Sequence, residues 1–247
     1  MKLKGVSPNV ITYVCSLTAC GRVGASSKGE EIHSEVEKKG FLQEEIAIGN
    51  ALVDMYGNWG SLVKAQEVFG KLPVRNVATW TVLITGYAQL EREEVVVDLF
   101  NEMLEEAVNP NNVTFTAILN ACSHSGLLDK GQMYFEAMSE QYGIIPTLEH
   151  RTCMVDLFGR AGHFGRALDM LEMVQYKNQL PLLLALLGAC CKWVNVKLGK
   201  CVFDRLVDLD KKCGVAYVGM RNVYSAAAML DDAEKIEDMR MQNEALV

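Results

Sequence analysis

NVATWTVLITGYAQLEREEVVVDLFNEMLEEAVNPN, residues 76–111, holds two apolar periods and nothing that resembles an active site. Trp80, Leu83, Ile84, Tyr87 and Ala88 fall at i, i+3, i+4, i+7 and i+8, one face of a helix over roughly 78–89. Val96, Leu99, Phe100 and Met103 repeat that spacing over roughly 93–106. The first helix has no charged side chain. The second carries Glu93, Glu94, Asp98, Glu102, Glu105 and Glu106 and no base. A hairpin of this size cannot bury both apolar faces alone, so it needs neighbours to stack against.

The neighbours are present in the sequence. At an offset of 102, Pro8 and Asn9 fall on Pro110 and Asn111, and Thr12, Leu17, Cys20, Gly24 and Gly29 fall on Thr114, Leu119, Cys122, Gly126 and Gly131. Val53, Asp54, Gly57 and Gly60 fall on Val155, Asp156, Gly159 and Gly162. Within this long period the helix-to-helix turn recurs at Gly24, Gly60, Glu91, Gly126 and Gly162, in steps of 36, 31, 35 and 36. Glycine suits such a turn because it tolerates positive φ. Glu91 breaks the pattern, which predicts either an ordinary tight turn or a strained one there. The units are 10–45, 46–76, 77–111, 112–147 and 148–179. Two weaker hairpins, 180–213 and 214–247, place Val194 and Ala228 at the turn.

The phrases GNALVDMYGNWGSLVKAQEVF (49–69), MVDLFGRAGHFGRALDML (154–171) and LLGACCKWVNVKLGK (186–200) resemble the plant pentatricopeptide repeat (PPR) family, in its mixed-length P, L, S class. By that resemblance 77–111 is P-type, 10–45 and 112–147 are L-type, and 46–76 and 148–179 are S-type. Residues 180–247 resemble the C-terminal extension (E) motifs, and MKLKGVSPN (1–9) matches the tail of a P-type unit. The expected fold is all-α, a right-handed α-solenoid of stacked helix-turn-helix repeats. The opening is expected either to follow further repeats upstream or to belong to a truncated gene product.

The family resemblance implies a single-stranded RNA-binding adaptor in organellar RNA modification, directing C-to-U RNA editing in the mitochondrion or chloroplast. Its partners would be organellar RNA, a deaminase-bearing PPR protein acting in trans and organellar editing factors. Membranes and small-molecule substrates are not expected as partners. Helical repeats address one base each through two or three side chains. The family's deciding positions are the fifth residue of a unit and its last. Here these are Asn50 with Asn76, for which the resemblance implies a pyrimidine, and Thr81 with Asn111, for which it implies adenine. The remaining pairs, Val14 with Glu45, Thr116 with Thr147 and Thr152 with Gln179, have no translation. From the residues alone a second reading stands: Asn76 and Asn111 precede helices, where asparagine is a good N-cap, and Thr81 could bond a carbonyl of its own helix.

Charge bears on both readings. The net charge is −7, with 15 bases and 22 acids in 1–179 and nine of each in 180–247. RNA-binding domains usually carry a basic patch. If first helices line the concave face, as the resemblance implies, the acidic second helices form an outer wall. The alternative function is a protein-binding helical-repeat scaffold, or a degenerate or truncated copy that no longer binds RNA.

No catalytic residue, cofactor or metal site is expected. His33-Ser34-Glu35 spells H-x-E, but no C-x-x-C accompanies it, so the zinc-deaminase signature is incomplete and His33 reads as a helix-surface residue. His124, His150 and His163 lack ligand spacing. No phosphate-binding or nucleophile-elbow motif appears. The eight cysteines, among them Cys15, Cys20, Cys122, Cys153, Cys190 and Cys201, read as small reduced core residues. PLLLALLGACC (181–191) is too short to span a membrane and reads as a buried helix.

Overall fold

A computed structural model describes residues 8–243, so most of the 1–9 tail and residues 244–247 lie outside the described residues. Among the described residues there are fifteen α-helices, one 3-10 turn and no strand. The hairpins are α1 (Val10–Val23) with α2 (Ser26–Lys38), α4 (Ile46–Asn58) with α5 (Leu62–Lys71), and α6 (Val77–Gln89) with α7 (Glu93–Glu105). They continue with α8 (Asn112–Ser125) and α9 (Leu128–Glu140), α10 (Leu148–Arg160) and α11 (Phe164–Glu172), α12 (Leu180–Lys192) and α13 (Val196–Leu209), and α14 (Gly214–Ala226) and α15 (Leu230–Gln242). A single turn, α3 (Phe41–Glu44), lengthens the connection after α2. The helical-hairpin architecture and its all-α class are therefore those the periodicity predicts.

The chain forms two compact units, one ending at Ala121 and the other starting at Cys122, inside α8. In the first unit the leading helices stack in sequence, α1 on α4 and α4 on α6. In the second, α10 stacks on α12 and α12 on α14. Each core follows the predicted periodicity. Leu17, Ile48, Leu52, Met55, Trp80, Leu83 and Ile84 are inaccessible in the first unit, as are Leu157, Leu182, Leu186 and Tyr217 in the second. The acids of α7 from Glu94 to Glu105 face solvent, as an outer helix requires.

Every hairpin turn takes the left-handed backbone, whatever its residue. Gly24, Gly60, Gly126 and Gly162 have φ of 67–78°, and Glu91, Val194 and Ala228 are held at 52°, 50° and 57°. The turn at Glu91 is thus the strained alternative. The repeat spacing outweighs a local cost of about 1–2 kcal/mol for a side chain in that region. Close approach explains another matched glycine pair: a Cβ at Gly29 would lie 2.3 Å from the Trp59 ring, and one at Gly131 would lie 2.4 Å from Leu157.

Successive hairpins are also tied through helix ends. The Trp59 indole donates to the Cys20 carbonyl at 3.2 Å, and Trp193 donates to the Gly159 carbonyl at 3.1 Å. Each tryptophan follows a leading helix and adds a second-repeat donor to a last-turn carbonyl of the leading helix before it, one that also accepts backbone N–H groups of its own turn.

The cysteine reading needs correction. Cys20, Cys122 and Cys190 are buried, but Cys15 and Cys201 are exposed and Cys153, Cys191 and Cys213 intermediate. Cys15 and Cys201 belong to helices, but on faces that no neighbouring helix covers among the described residues, a distinction composition does not carry.

Candidate nucleic-acid interface

In unit 77–111 the last residue of the repeat and the first turn of the next helix form one local device. Asn111 starts α8: its Oδ1 accepts from the Thr114 backbone N–H at 2.9 Å, and its own N–H donates to Thr114 Oγ1 at 3.2 Å. The Thr114 hydroxyl lies 3.0 Å from Asn111 Oδ1 and 2.9 Å from the Thr81 hydroxyl on α6. Thr81 Oγ1 also donates to the Val77 carbonyl at 2.6 Å. Each hydroxyl has a single hydrogen, so Thr81, Thr114 and Asn111 form one linked chain in which every oxygen is engaged.

Thr81 and Asn111 line the same groove, of about 370 Å³, between α4, α6 and the start of α8. Asn111 is thus an N-cap that also lines the groove. Its carbonyl oxygen serves the helix, while its Nδ2 has no hydrogen-bond partner among the described residues and stays available as a donor. Thr81 is only 9% exposed and back-bonded, so it offers less to a ligand than a free hydroxyl would.

The preceding pair follows the same plan. Asn76 caps α6 in a capping box with Thr79. The Thr79 hydroxyl reaches Asn50 Oδ1 at 2.6 Å and Asn76 Oδ1 at 3.0 Å, and Asn50 Nδ2 lies 3.5 Å from Asn76 Oδ1. Asn50 and Asn76 therefore stand side by side, half-buried, held by one buried threonine.

The other pairs are not alike. Thr116 bonds back to the Asn112 carbonyl at 3.1 Å, whereas Thr147 begins α10 in the second unit, its hydroxyl 2.8 Å from the Nδ1 of the fully buried His150. Val14 is half-buried on α1, and Glu45 is the N-cap of α4 without a side-chain cap bond. Thr152 bonds the Leu148 carbonyl at 2.9 Å. Its partner Gln179 is 4% exposed and fully engaged: Nε2 donates to the Leu171 and Val174 carbonyls at 3.0 and 2.8 Å, and Oε1 accepts from Arg205 at 2.5 Å. At the end of unit 148–179 the reading position is occupied by a structural clamp onto α13.

One set of groove residues escaped the sequence reading. Val113, two positions after Asn111, is 54% exposed and lines the groove; Ala78 does the same after Asn76. The signal was legible as an apolar residue on an open helix face, where it leaves an apolar surface uncovered.

His33 is not the surface residue the sequence suggested. Its side chain is 16% exposed, with Nδ1 2.8 Å from the Tyr56 hydroxyl, and burial lowers its pKa below the usual imidazole value. Glu35, two residues on, points elsewhere: it accepts from Tyr13 at 2.8 Å and pairs with Lys39 at 3.3 Å. The two ends of H-x-E thus serve different neighbours, as residues i and i+2 of a helix must. Among the described residues no three His, Cys, Asp or Glu side chains converge in a metal-holding group. No described helix is long and apolar enough to cross a membrane.

Sequence models of pentatricopeptide repeats match along most of the chain: a pentatricopeptide repeat domain at 1–59, a PPR repeat family model at 75–124, and single PPR repeats at 50–77, 113–141 and 150–178. The chain is a pentatricopeptide repeat protein. Two Arabidopsis thaliana pentatricopeptide repeat-containing proteins, one named as mitochondrial and one as chloroplastic, are each 36% identical to it. The match takes in 96% and 94% of this chain but 36% and 26% of theirs. The chain thus spans roughly a quarter to a third of the length of these two relatives.

Among solved structures, the pentatricopeptide repeat protein PPR10, of maize, in complex with an 18-nt psaJ RNA element superposes with a TM-score of 0.87. The identity is 20%, over all of this chain and 37% of that one. The PPR domain of Arabidopsis thaliana protein-only RNase P 1, in complex with tRNA, gives 0.54 at 19% identity, over 74% and 95%. At such identities the likeness establishes the fold.

Proposed function

We propose that this PPR chain binds single-stranded RNA as part of a sequence-selective adaptor. The finer reading is a mixed-length P, L, S array with an E-type C-terminal extension. It would mark C-to-U editing sites in mitochondrial or chloroplast transcripts and rely on a deaminase supplied in trans. The observation that carries the reading is the shared groove of Thr81 and Asn111, with Asn50 and Asn76 arranged alike one repeat earlier. Relatives named for both organelles and PPR structures in complex with RNA are consistent with it.

Adenine is the base assigned to Thr81–Asn111 and a pyrimidine to Asn50–Asn76; Thr116 and Thr152 are weaker readers. The test is fluorescence anisotropy at low salt, because the net charge of −7 supplies little counterion-release affinity. Oligonucleotides differing at one position should show a preference for adenine, and the double change Thr81→Asn with Asn111→Asp should move it toward uracil. Equal relative binding before and after the change would reduce both residues to capping roles.

The acidic balance favours one second reading, a protein-binding scaffold. Its outer wall is knit by ion pairs between successive second helices, Glu30 with Lys64 and Glu37 with Lys71, which leave no basic stripe there. Failure to bind any single-stranded RNA at low salt would favour it.

A further inference from the structure

The groove that holds Thr81 and Asn111 has one charged lining residue, Asp54 on α4. It stands one helical turn beyond Asn50, about 6 Å along the axis. Its counterpart at the offset of 102 is Asp156, and the two environments differ. Asp156 accepts from Arg160 at 2.8 Å and from Ser123 at 2.6 Å. At the position equivalent to Arg160 the first unit has Asn58, and Asp54 has no hydrogen-bond or ion-pair partner among the described residues. The carboxylate is half-buried and faces a groove large enough for a planar base.

The hydrogen-bond inventory shows what is missing from the groove. Asn111 Oδ1 is engaged by Thr114, and the Thr81 hydroxyl by Val77 and Thr114. The pair presents a donor, Asn111 Nδ2, while its spare acceptor capacity is confined to a lone pair of the back-bonded, 9% exposed Thr81 hydroxyl. The Watson–Crick edge of adenine carries both an acceptor, the ring N1, and a donor, the exocyclic amine. A donor alone cannot tell adenine from a base that offers only carbonyl acceptors. A phosphate would meet an unneutralised carboxylate here, so the base edge enters this part of the groove and the backbone does not.

We propose that Asp54 is a specificity-determining residue of this groove, accepting a hydrogen bond from the exocyclic amine of the base held between Thr81 and Asn111. The proposal rests on the RNA-reading function above. It extends the reading set to a third residue from the neighbouring repeat and names the atom that residue recognises.

The experiment uses the full chain and a set of single-stranded oligonucleotides identical except at one nucleotide. That nucleotide is adenine, uracil or purine, the last being adenine without its exocyclic amine. Wild type should bind the adenine oligonucleotide on the order of 10-fold more tightly than the purine one, the scale of a hydrogen bond to a charged group. Asp54→Ala should bind adenine and purine equally. Its fold is checked by circular dichroism, and the residue's lack of partners leaves no native interaction to lose. Asn58→Arg keeps Asp54 but recreates the pairing seen at Asp156 and Arg160; it should also erase the adenine-to-purine difference while tightening binding to every oligonucleotide.

An adenine-to-purine ratio that is the same in wild type and Asp54→Ala would overturn the role of Asp54 and leave the reading by Thr81 and Asn111 intact. Failure of wild type to distinguish adenine from uracil at any position would overturn that reading and this proposal with it.

Discussion

Replacing Thr114 by valine removes one hydroxyl and keeps the shape of the side chain. Thr114 is fully buried, and its oxygen is the hub that joins Asn111 to Thr81. Its hydroxyl accepts from the Asn111 backbone N–H and contacts two side-chain oxygens, those of Asn111 and Thr81, which share its single hydrogen. The direct loss is about 1 kcal/mol for each of two simultaneous hydrogen bonds. Thr81 keeps its bond to the Val77 carbonyl and is not orphaned, whereas the Asn111 N–H loses its acceptor in a part-buried place. A destabilisation of about 2–3 kcal/mol is expected for Thr114→Val. Thr81→Val alone, which removes the bonds to Val77 and Thr114, should cost about 2 kcal/mol, and the double variant should cost less than the sum by about 1 kcal/mol, since the shared bond is lost only once. Urea denaturation followed by circular dichroism reads these differences as shifts in midpoint at constant slope. Thr114→Val should also loosen Asn111 and weaken the single-nucleotide preference more than it weakens overall RNA binding. A stability within about 0.5 kcal/mol of wild type, or strict additivity in the double variant, would refute the linked chain.

Val194→Gly should stabilise the second unit by about 0.5–1 kcal/mol, because a β-branched residue at φ 50° gives way to one that adopts it freely, less the extra entropy glycine loses on folding; a higher thermal midpoint checks it and a lower one contradicts it. His33 is half-buried among Tyr56, Glu30, Glu37, Lys64 and Lys71, and its folded-state pKa lies below the unfolded value of about 6.5. The stability it contributes is therefore present above that value and declines as pH falls through the folded pKa, a dependence that His33→Gln should remove from a denaturation series over pH 7 to 5. In native thiol labelling Cys15 and Cys201 should react first. Cys122 and Cys190, whose burial raises their pKa to about 11, and Cys153, raised to about 12, should react only on unfolding.

The order of helices, their faces and their turns were legible in the chain itself. A 3.6-residue apolar period specifies a helix and its buried side without reference to neighbours, so Trp80, Leu83 and Ile84 could be placed in the core, and Glu94 to Glu105 on the outside, from spacing alone. The turn position was equally legible, and there the array overrode local preference: Glu91, Val194 and Ala228 adopt the glycine conformation because the stacking on either side is worth more than the strain.

Partnership between side chains from different repeats is another matter. Which oxygen of Asn111 serves the helix and which nitrogen faces the groove depends on Thr114, three residues on, and on Thr81, thirty back. Gln179 stood at a reading position by count, yet Arg205 and two carbonyls claim it. His33 stood on a helix surface by pattern, yet Tyr56 from the next repeat covers it. Periodicity fixes the direction a side chain leaves its own helix. What meets it there is set by the packing of the next helix, and hydrogen bonds across that gap depend on tenths of an ångström that no sequence spacing records.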